Sequence, residues 1–196
     1  KGTDQTKAAG SQRFGGFRKS AGAWAFIPDN HASATSPDDI LDAITEEGVT
    51  ITALVPAMVT VCMEMLEWDE DYDISSLRIL QVGGAMLEDS LADKIIEEWP
   101  CKLMQVFGTA EGLLSFTSPE DEGSLIARCQ GTPVSPADEV KIVDEEDKAV
   151  PEGVFGELLS RGPYTIDGYY MAEEANKKSF TSDGFYRTGD KAMWTK

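Results

Sequence analysis

The chain has 196 residues, of which 41% are hydrophobic, and a formal net charge of −18 at pH 7. This composition is enough for the core of one ordinary domain, or of one domain with a small satellite. The acidic balance argues against nucleic acid as a partner, because proteins that cover a polyanion neutralise its phosphates with clustered Lys and Arg.

The lengths of the apolar stretches indicate where in the cell the protein is located. No uninterrupted apolar stretch approaches the roughly 20 residues that cross a bilayer, and no apolar signal region follows the N-terminus. We therefore expect a cytoplasmic protein without a membrane partner.

Cys62, Cys101 and Cys129 are odd in number and widely spaced, which indicates reduced thiols rather than a disulfide framework or a zinc site. His31 is the one histidine, so histidine-based triads and multi-histidine metal sites are not expected.

Strand and helix patterns alternate along the first two thirds of the chain. Residues 1–20 are polar and aperiodic, and we expect a flexible or truncated lead-in there. The predicted elements that follow are strands at 24–27, 51–55, 77–82 and 102–106 and helices that begin near 37, 57 and 87. The strands are apolar on both faces, which is typical of a parallel sheet covered by helices. Since the carboxyl ends of such strands share one ligand-binding edge, Pro56, Gly83–Gly84 and Phe107–Gly108 are expected to converge.

The pattern changes after about residue 123. Short alternating strands are predicted at 140–143 and 156–160, joined through the turn-forming Pro151–Gly153, and no long apolar helix follows them. The sequence therefore predicts an α/β fold with two parts. A mostly parallel sheet with flanking helices occupies residues 21–122, and a small antiparallel, barrel-like β unit occupies residues 123–196.

Two stretches in the sheet region have residues suited to a nucleotide. Gly83, Gly84 and Ala85 let the backbone approach a flat base closely, although a tight strand-to-helix turn alone is the simpler explanation of these residues. Phe107 offers an aromatic face to a base, and Gly108 and Thr109 begin what reads as a strand-to-helix turn with a hydroxyl for phosphate oxygens. Glu111 then supplies a carboxylate for Mg²⁺. The alternative is a plain turn with a solvated carboxylate.

A third stretch lies near the end of the chain. In Tyr186–Asp190, the carboxylate of Asp190 follows a Thr-Gly turn and is suited to accept hydrogen bonds from the two hydroxyls of a ribose. The alternative is a carboxylate that caps a turn.

Two common nucleotide-binding motifs are missing from the sequence. It contains no Gly-x-x-x-x-Gly-Lys-Ser/Thr, which excludes a P-loop ATPase, and it contains no Gly-x-Gly-x-x-Gly, which is the fingerprint of dinucleotide binding.

Three ordered motifs together resemble those of the adenylate-forming superfamily of acyl and aryl acid ligases. Val106–Gly112 resembles its aromatic-Gly-x-x-Glu motif. Residues 156–170 resemble its Gly-Glu-Leu…Arg-Gly…Gly-Tyr motif, and Tyr186–Asp190 its Tyr-Arg-Thr-Gly-Asp motif. The sequence of these motifs is most similar to that of the stand-alone 2,3-dihydroxybenzoate/salicylate–AMP ligases of siderophore synthesis. Leu80–Ala85, Gln105–Gly108, Ala110–Leu113 and Arg161–Ile166 carry this likeness.

The resemblance implies a reaction and a site. Such an enzyme activates an aryl acid with ATP and Mg²⁺ to the acyl adenylate, which then reacts with the thiol of an aryl carrier protein or of coenzyme A. The roles implied are adenine and nucleotide binding for Gly83, Gly84, Ala85, Phe107 and Gly108, phosphate and Mg²⁺ binding for Thr109 and Glu111, ribose binding for Asp190, and an aryl pocket lined by Ala53, Gln81, Gly83, Val106 and Leu114. The resemblance also implies that Leu at position 114 favours salicylate, where Val would favour dihydroxybenzoate.

The chain lacks other features of the family. The upstream Gly-rich phosphate loop with its lysine is not in the sequence, nor is the C-terminal domain that brings the catalytic lysine. We therefore expect the later half of a large N-terminal domain, ending before the hinge and inactive by itself. Two alternatives remain open: a non-catalytic nucleotide-binding or carrier-docking module, and a fragment of an acyl-CoA ligase or of an amino-acid adenylation domain.

Overall fold

The structure, a computed structural model, describes residues 36–195. The expected lead-in at 1–20, the expected strand at 24–27 and His31 lie outside the described residues. The chain divides into two compact units, with the boundary between Leu103 and Met104. The domain boundary expected near residue 122 stays a prediction.

The first unit alternates helices and strands, as expected. Its elements are α1 (Pro37–Glu47), β1 (Ile51–Leu54), α2 (Pro56–Trp68), β2 (Ile79–Gly83) and α3 (Asp89–Glu98). Strands β1 and β2 pair in parallel. The predicted elements of this region are confirmed, with ends that differ by one to a few residues. No helix within residues 36–195 is long and apolar enough to cross a membrane.

Helix α1 shows why the sequence predicted this region well. Ser36 caps its start, because the Ser36 hydroxyl accepts a hydrogen bond from the Asp39 amide at 3.2 Å and an Asp39 carboxylate oxygen accepts one from the Ser36 amide at 3.1 Å. Gly48 ends the helix in the left-handed conformation with φ +63°. The buried face consists of Ile40, Leu41 and Ile44. Sequence signals at both ends thus fix the helix, and its apolar stripe faces the core.

The core of the first unit comes from the inward faces of its strands and helices. Its fully or nearly fully buried members include Val59, Cys62, Leu80, Val82, Ala92 and Ile95. Burial raises the pKa of the Cys62 thiol to about 11, so this thiol stays protonated and behaves as a small apolar side chain. All three cysteines are free.

Strand β3 (Lys102–Thr109) begins at the end of the first unit and continues into the second. It is followed by β4 (Leu113–Phe116), α4 (Gly123–Arg128) and β5 (Thr132–Pro133). The five strands form one sheet in the order β1-β2-β3-β4-β5, in which β4 runs antiparallel to both β3 and β5. The expected α/β class, with a mostly parallel sheet flanked by helices, is confirmed.

A second sheet completes the second unit. It contains β6 (Glu139–Val143), β7 (Gly156–Arg161) and β8 (Tyr186–Ala192) in that order, all antiparallel, and α5 (Glu173–Ser179) precedes β8. Leu113, Ile142 and Leu158 form one buried cluster of this unit. The small antiparallel β unit predicted from the sequence is therefore confirmed.

A buried glutamine anchors β3 in the second unit. Gln105 is 1% exposed, and its backbone amide donates a hydrogen bond to the Thr117 hydroxyl at 2.8 Å. Its side-chain amide donates to the carbonyl of Ile126 at 2.6 Å and accepts from the Gln130 side chain at 2.9 Å. Because both ends of the buried amide are satisfied, this network fixes the strand that leads to Glu111.

Candidate functional site

The stretch around Glu111 is a tight β-hairpin and not the strand-to-helix turn that the sequence indicated. Strands β3 and β4 pair antiparallel with Thr109 opposite Leu113, and the Gly112 amide donates a hydrogen bond to the Thr109 carbonyl at 3.2 Å. Leu113 and Ser115 are buried while Leu114 is exposed. This alternation is the period of a strand, which explains why the chain turns back into the sheet.

Glu111 stands at the tip of this hairpin with its carboxylate held by a tyrosine. The Tyr169 hydroxyl donates a hydrogen bond to Oε1 of Glu111 at 2.7 Å, although the two residues are 58 positions apart. This hydrogen bond is the main reason why the pKa of Glu111 lies below its usual value of 4.5, and it outweighs the opposing effect of partial burial. The carboxylate is therefore ionised at neutral pH and available to a cation.

The backbone of the hairpin tip rests on the segment that follows β7. The Ile166 amide donates to the Glu111 carbonyl at 2.8 Å, and the Thr165 hydroxyl donates to the Gly112 carbonyl at 3.1 Å. Gly112 has a φ of +121°, a conformation that favours glycine. Glu111 is thus presented by a fixed backbone and not by a loose loop.

Tyr186 is a second tyrosine whose hydroxyl lies near that of Tyr169. The hydroxyl oxygens of Tyr169 and Tyr186 are 3.5 Å apart, and Tyr186 is 8% exposed. Burial first, and then the hydrogen bond with Tyr169 and the charge of Glu111, raise the pKa of Tyr186 well above its usual value. Its hydroxyl therefore stays protonated and acts only within hydrogen bonds.

The other hairpin residues occupy distinct positions. The Thr109 hydroxyl is buried and has no hydrogen-bond partner among residues 36–195. Phe107 lies opposite Ser115 and packs against the cluster of Leu113, Ile142 and Leu158. Val106 lies opposite Phe116. A buried hydroxyl without a partner costs free energy, so a ligand that accepts a hydrogen bond from Thr109 would remove that cost.

Gly108 and Leu114 face each other across the hairpin. A Cβ built on Gly108 would come within 3.0 Å of both the Leu113 carbonyl oxygen and Cδ1 of Leu114. Glycine therefore lets the Leu114 side chain lie over the backbone of β3. Leu114 keeps 37% of its surface exposed, which leaves it free to contact another molecule.

Asp190 lies on β8 and has an exposed side chain. Its amide donates a hydrogen bond to the Thr188 hydroxyl at 3.0 Å, and this hydroxyl donates to the Leu158 carbonyl on β7 at 2.9 Å. Gly189 between them has a φ of +78°. The turn is thereby anchored to the neighbouring strand, while Asp190 itself is exposed.

Five of the predicted site residues belong to the first unit. Ala53 on β1 lies opposite Gln81 on β2, and Gly83 is the last residue of β2. A Cβ built on Gly84 would be 3.4 Å from Cγ1 of Val55, so the carboxyl ends of β1 and β2 do lie together. Ala85 follows with an exposed side chain. The expected convergence is therefore present for these two strands.

The second unit places Thr109 and Glu111 on one hairpin, with Val106, Phe107, Gly108 and Leu114 on its strands, and it carries Asp190 on the other sheet. The sequence patterns indicated no role for Tyr169, Tyr186 or Asn176. Tyr169 follows Gly168 at the end of the motif in residues 156–170, and Tyr186 begins Tyr-Arg-Thr-Gly-Asp. A tyrosine at the end of one motif and at the start of the next was the signal that could have found this pair.

The sequences and structures of known proteins resemble this chain closely. Over 155 residues it is 51% identical to a 2,3-dihydroxybenzoate-AMP ligase of Bacillus subtilis, covering 79% of the chain and 29% of that protein. Over 165 residues it is 46% identical to a salicyl-AMP ligase / salicyl-S-ArCP synthetase of Mycobacterium tuberculosis, covering 84% of the chain and 28% of that protein.

Among solved structures, apo MbtA of Mycobacterium smegmatis superimposes with a TM-score of 0.70 at 46% identity, covering 81% of the chain and 28% of that protein. The chain thus spans less than a third of the length of these relatives. Residues 19–170 match the AMP-binding enzyme family. Because this match extends over more than half of the chain, the chain belongs to the AMP-binding enzyme family.

Proposed function

We propose that the protein to which this chain belongs is an aryl acid–AMP ligase that activates salicylate or 2,3-dihydroxybenzoate with ATP and Mg²⁺. The observation that carries the proposal is the Glu111 hairpin, where an ionised carboxylate fixed by Tyr169 follows a buried Thr109 hydroxyl without a partner among the described residues. Relatives whose names state these two aryl acids, at 51% and 46% identity, support the choice of substrate class.

The residues of the hairpin fit a hard cation and its phosphates. Mg²⁺ prefers oxygen ligands, keeps several waters, and commonly uses one or two carboxylates together with substrate phosphates. Within residues 36–195 no group of three or more His, Cys, Asp and Glu side chains could hold a metal ion. We infer that Glu111 binds Mg²⁺ jointly with the nucleotide and that Thr109 donates its hydrogen bond to a phosphate oxygen.

The proposed reaction forms one bond and breaks one. A carboxylate oxygen of the aryl acid attacks the α-phosphorus of ATP, the bond between that phosphorus and the β-phosphate oxygen breaks, and pyrophosphate leaves. When bound, Mg²⁺ neutralises charge on the phosphates. The contribution of the chain is to hold the reactants and the cation in place, which supplies most of the catalysis in phosphoryl transfer.

The remaining roles are those that the resemblance of the motifs implies. Asp190 would accept hydrogen bonds from the ribose hydroxyls, since its carboxylate is exposed on an anchored turn. Gly83, Gly84 and Ala85 would border the adenine and Phe107 would contact it, with Gly108 allowing close approach. Ala53, Gln81, Val106 and Leu114 would line the aryl pocket. The acyl group would pass to the thiol of an aryl carrier protein or of coenzyme A.

An exchange assay tests the proposal. The polypeptide encoded by the reading frame that contains these 196 residues is incubated with ATP, Mg²⁺, labelled pyrophosphate and one candidate acid at a time. We expect label to enter ATP with salicylate or 2,3-dihydroxybenzoate. Glu111→Gln should reduce this exchange at least about tenfold, and Glu152→Gln, at an exposed turn, should not. Exchange with fatty acids or amino acids instead would assign an acyl-CoA ligase or an amino-acid adenylation domain.

A further inference from the structure

A short series of contacts leads from helix α5 to the carboxylate of Glu111. On α5, the side-chain oxygen of Asn176 accepts a hydrogen bond from the Tyr169 amide at 2.7 Å, and its side-chain nitrogen donates to the Tyr169 carbonyl at 2.9 Å. One amide therefore fixes both backbone groups of Tyr169. A Cβ built on Gly168 would come within 3.1 Å of this side chain, so glycine at 168 leaves room for it.

The ring of Tyr169 is fixed as well as its backbone. It meets the Phe180 ring edge to face with centroids 6.0 Å apart, and Phe180 in turn packs against Tyr186 with centroids 5.4 Å apart. Such aromatic contacts stabilise a defined ring orientation. The Tyr169 hydroxyl is therefore held in place before any ligand arrives.

The hydroxyl of this fixed ring is directed at the one side chain of the hairpin that would bind the cation. Its single proton goes to Oε1 of Glu111 at 2.7 Å. A glutamate side chain at a hairpin tip otherwise rotates about several bonds, and ordering it on binding costs conformational entropy. A hydrogen bond to a charged group is strong enough to offset much of that cost.

We propose that Tyr169 is a positioning residue that fixes the Glu111 carboxylate for Mg²⁺ and nucleotide, with Asn176 holding Tyr169 in turn. This inference rests on the proposed function. Tyr169 acts through Glu111 and does not itself contact the reacting atoms. A residue that works through Glu111 has no further effect on the affinity for Mg·ATP once the Glu111 carboxylate is removed.

The test compares Tyr169→Phe with Tyr170→Phe in the full polypeptide of the reading frame. Phe at 169 removes the hydroxyl and keeps the ring packing, while Tyr170 is 92% exposed and serves as the matched control. Calorimetry measures the affinity for ATP with Mg²⁺ and for ATP in EDTA, and the melting temperature checks the fold. We expect Tyr169→Phe to weaken binding of Mg·ATP about tenfold, and binding of ATP without the metal much less.

A double-mutant cycle decides whether the effect passes through Glu111. In the Glu111→Gln background, Tyr169→Phe should cause little further loss. Equal losses in both backgrounds, or a loss that is the same with and without Mg²⁺, would overturn the inference. So would wild-type affinity in Tyr169→Phe while Glu111→Gln is impaired. If Glu111→Gln bound Mg·ATP as tightly as Glu152→Gln does, the proposed role of Glu111 would fall and this role of Tyr169 with it, whereas the ligase function is tested separately by the pyrophosphate exchange.

Discussion

Thr165 lies directly against Gly112, so closely that a Cβ built on residue 112 would come within 2.5 Å of the Thr165 Cα. The Tyr164 carbonyl oxygen would be 2.6 Å from the same Cβ. Both neighbours are backbone atoms and cannot rotate away. The hairpin that carries Glu111 can thus pack against the segment after β7 because residue 112 has no side chain.

Replacement of Gly112 by alanine should therefore destabilise the protein strongly. Its φ of +121° is unfavourable for alanine by about 1–2 kcal/mol, and the overlap with Thr165 should add about 1–3 kcal/mol. Gly153→Ala is the matched control, because Gly153 also has a positive φ, +78°, but nothing within 4 Å of its Cβ position. Urea unfolding measures both. Equal losses of stability would contradict the close contact.

The contrast between α1 and this hairpin shows what the sequence could predict. Helix α1 is specified by adjacent residues, from the Ser36 cap to Gly48, so pattern and capping rules were sufficient. The turn after Thr109 was misassigned because Leu113–Phe116 is too short for its alternation to be distinguished from a helix start. What decides between the two is pairing with β3 and contact with Thr165, and both depend on distant parts of the chain.

Removal of the Asp190 carboxylate should weaken nucleotide binding through the ribose. Asp190→Ala is expected to reduce the affinity for ATP about tenfold, since hydrogen bonds to a charged group contribute about 1.5–3 kcal/mol. It should also reduce the preference for ATP over 3′-deoxy-ATP, because the lost partner is a ribose hydroxyl. Calorimetry with both nucleotides measures this. Asp167→Ala, at an exposed position, is the control, and an unchanged preference in Asp190→Ala would refute the assignment.

The residue at 114 should bias the choice of aryl acid. Leu114→Val shortens a side chain that is 37% exposed and makes room for the second hydroxyl of 2,3-dihydroxybenzoate. We expect the ratio of exchange rates to shift toward this acid and away from salicylate by about tenfold, the effect of roughly one methylene in a pocket. Leu125→Val is the matched control at 38% exposure on α4. A shift of the same size in the control would count against a pocket at Leu114.

The ion pair between Asp183 and Lys141 should make stability depend on pH in the acid range. An Asp183 oxygen lies 2.8 Å from Nζ of Lys141, and this contact, followed by the hydrogen bond from Thr181, lowers the pKa of Asp183 from 3.8 to about 2. A lowered pKa means that the contribution is complete above pH 3.8 and is lost as the pH falls toward 2. Because the pair is exposed, the contribution is small.

The difference in melting temperature between the wild type and Asp183→Asn should accordingly be largest above about pH 5 and shrink as the pH falls below 4. Scanning calorimetry over this range measures it, with Asp167→Asn as the control. A difference that stays constant from pH 5 to pH 3 would show that Asp183 does not stabilise the fold through its charge.

The contact between Tyr169 and Glu111 marks the limit of sequence reasoning at the site. The motifs predicted that Thr109, Glu111 and Asp190 belong together chemically, because each residue type suits one part of a nucleotide. They could not predict that Tyr169 reaches Glu111 across 58 positions, since this distance depends on how Asn176 and Phe180 orient the tyrosine. The motif tyrosines were visible in the sequence, but which of them contacts the Glu111 carboxylate depends on the fold.

Transfer of an isotope tests the central claim most directly. The polypeptide of the reading frame is given ATP, Mg²⁺ and salicylate labelled with ¹⁸O in its carboxylate, followed by a thiol acceptor, and the released AMP is analysed by mass spectrometry. If the carboxylate attacks the α-phosphorus, the AMP carries one ¹⁸O atom and pyrophosphate accompanies it. Unlabelled AMP, or ADP and phosphate as the products, would contradict an aryl acid–AMP ligase.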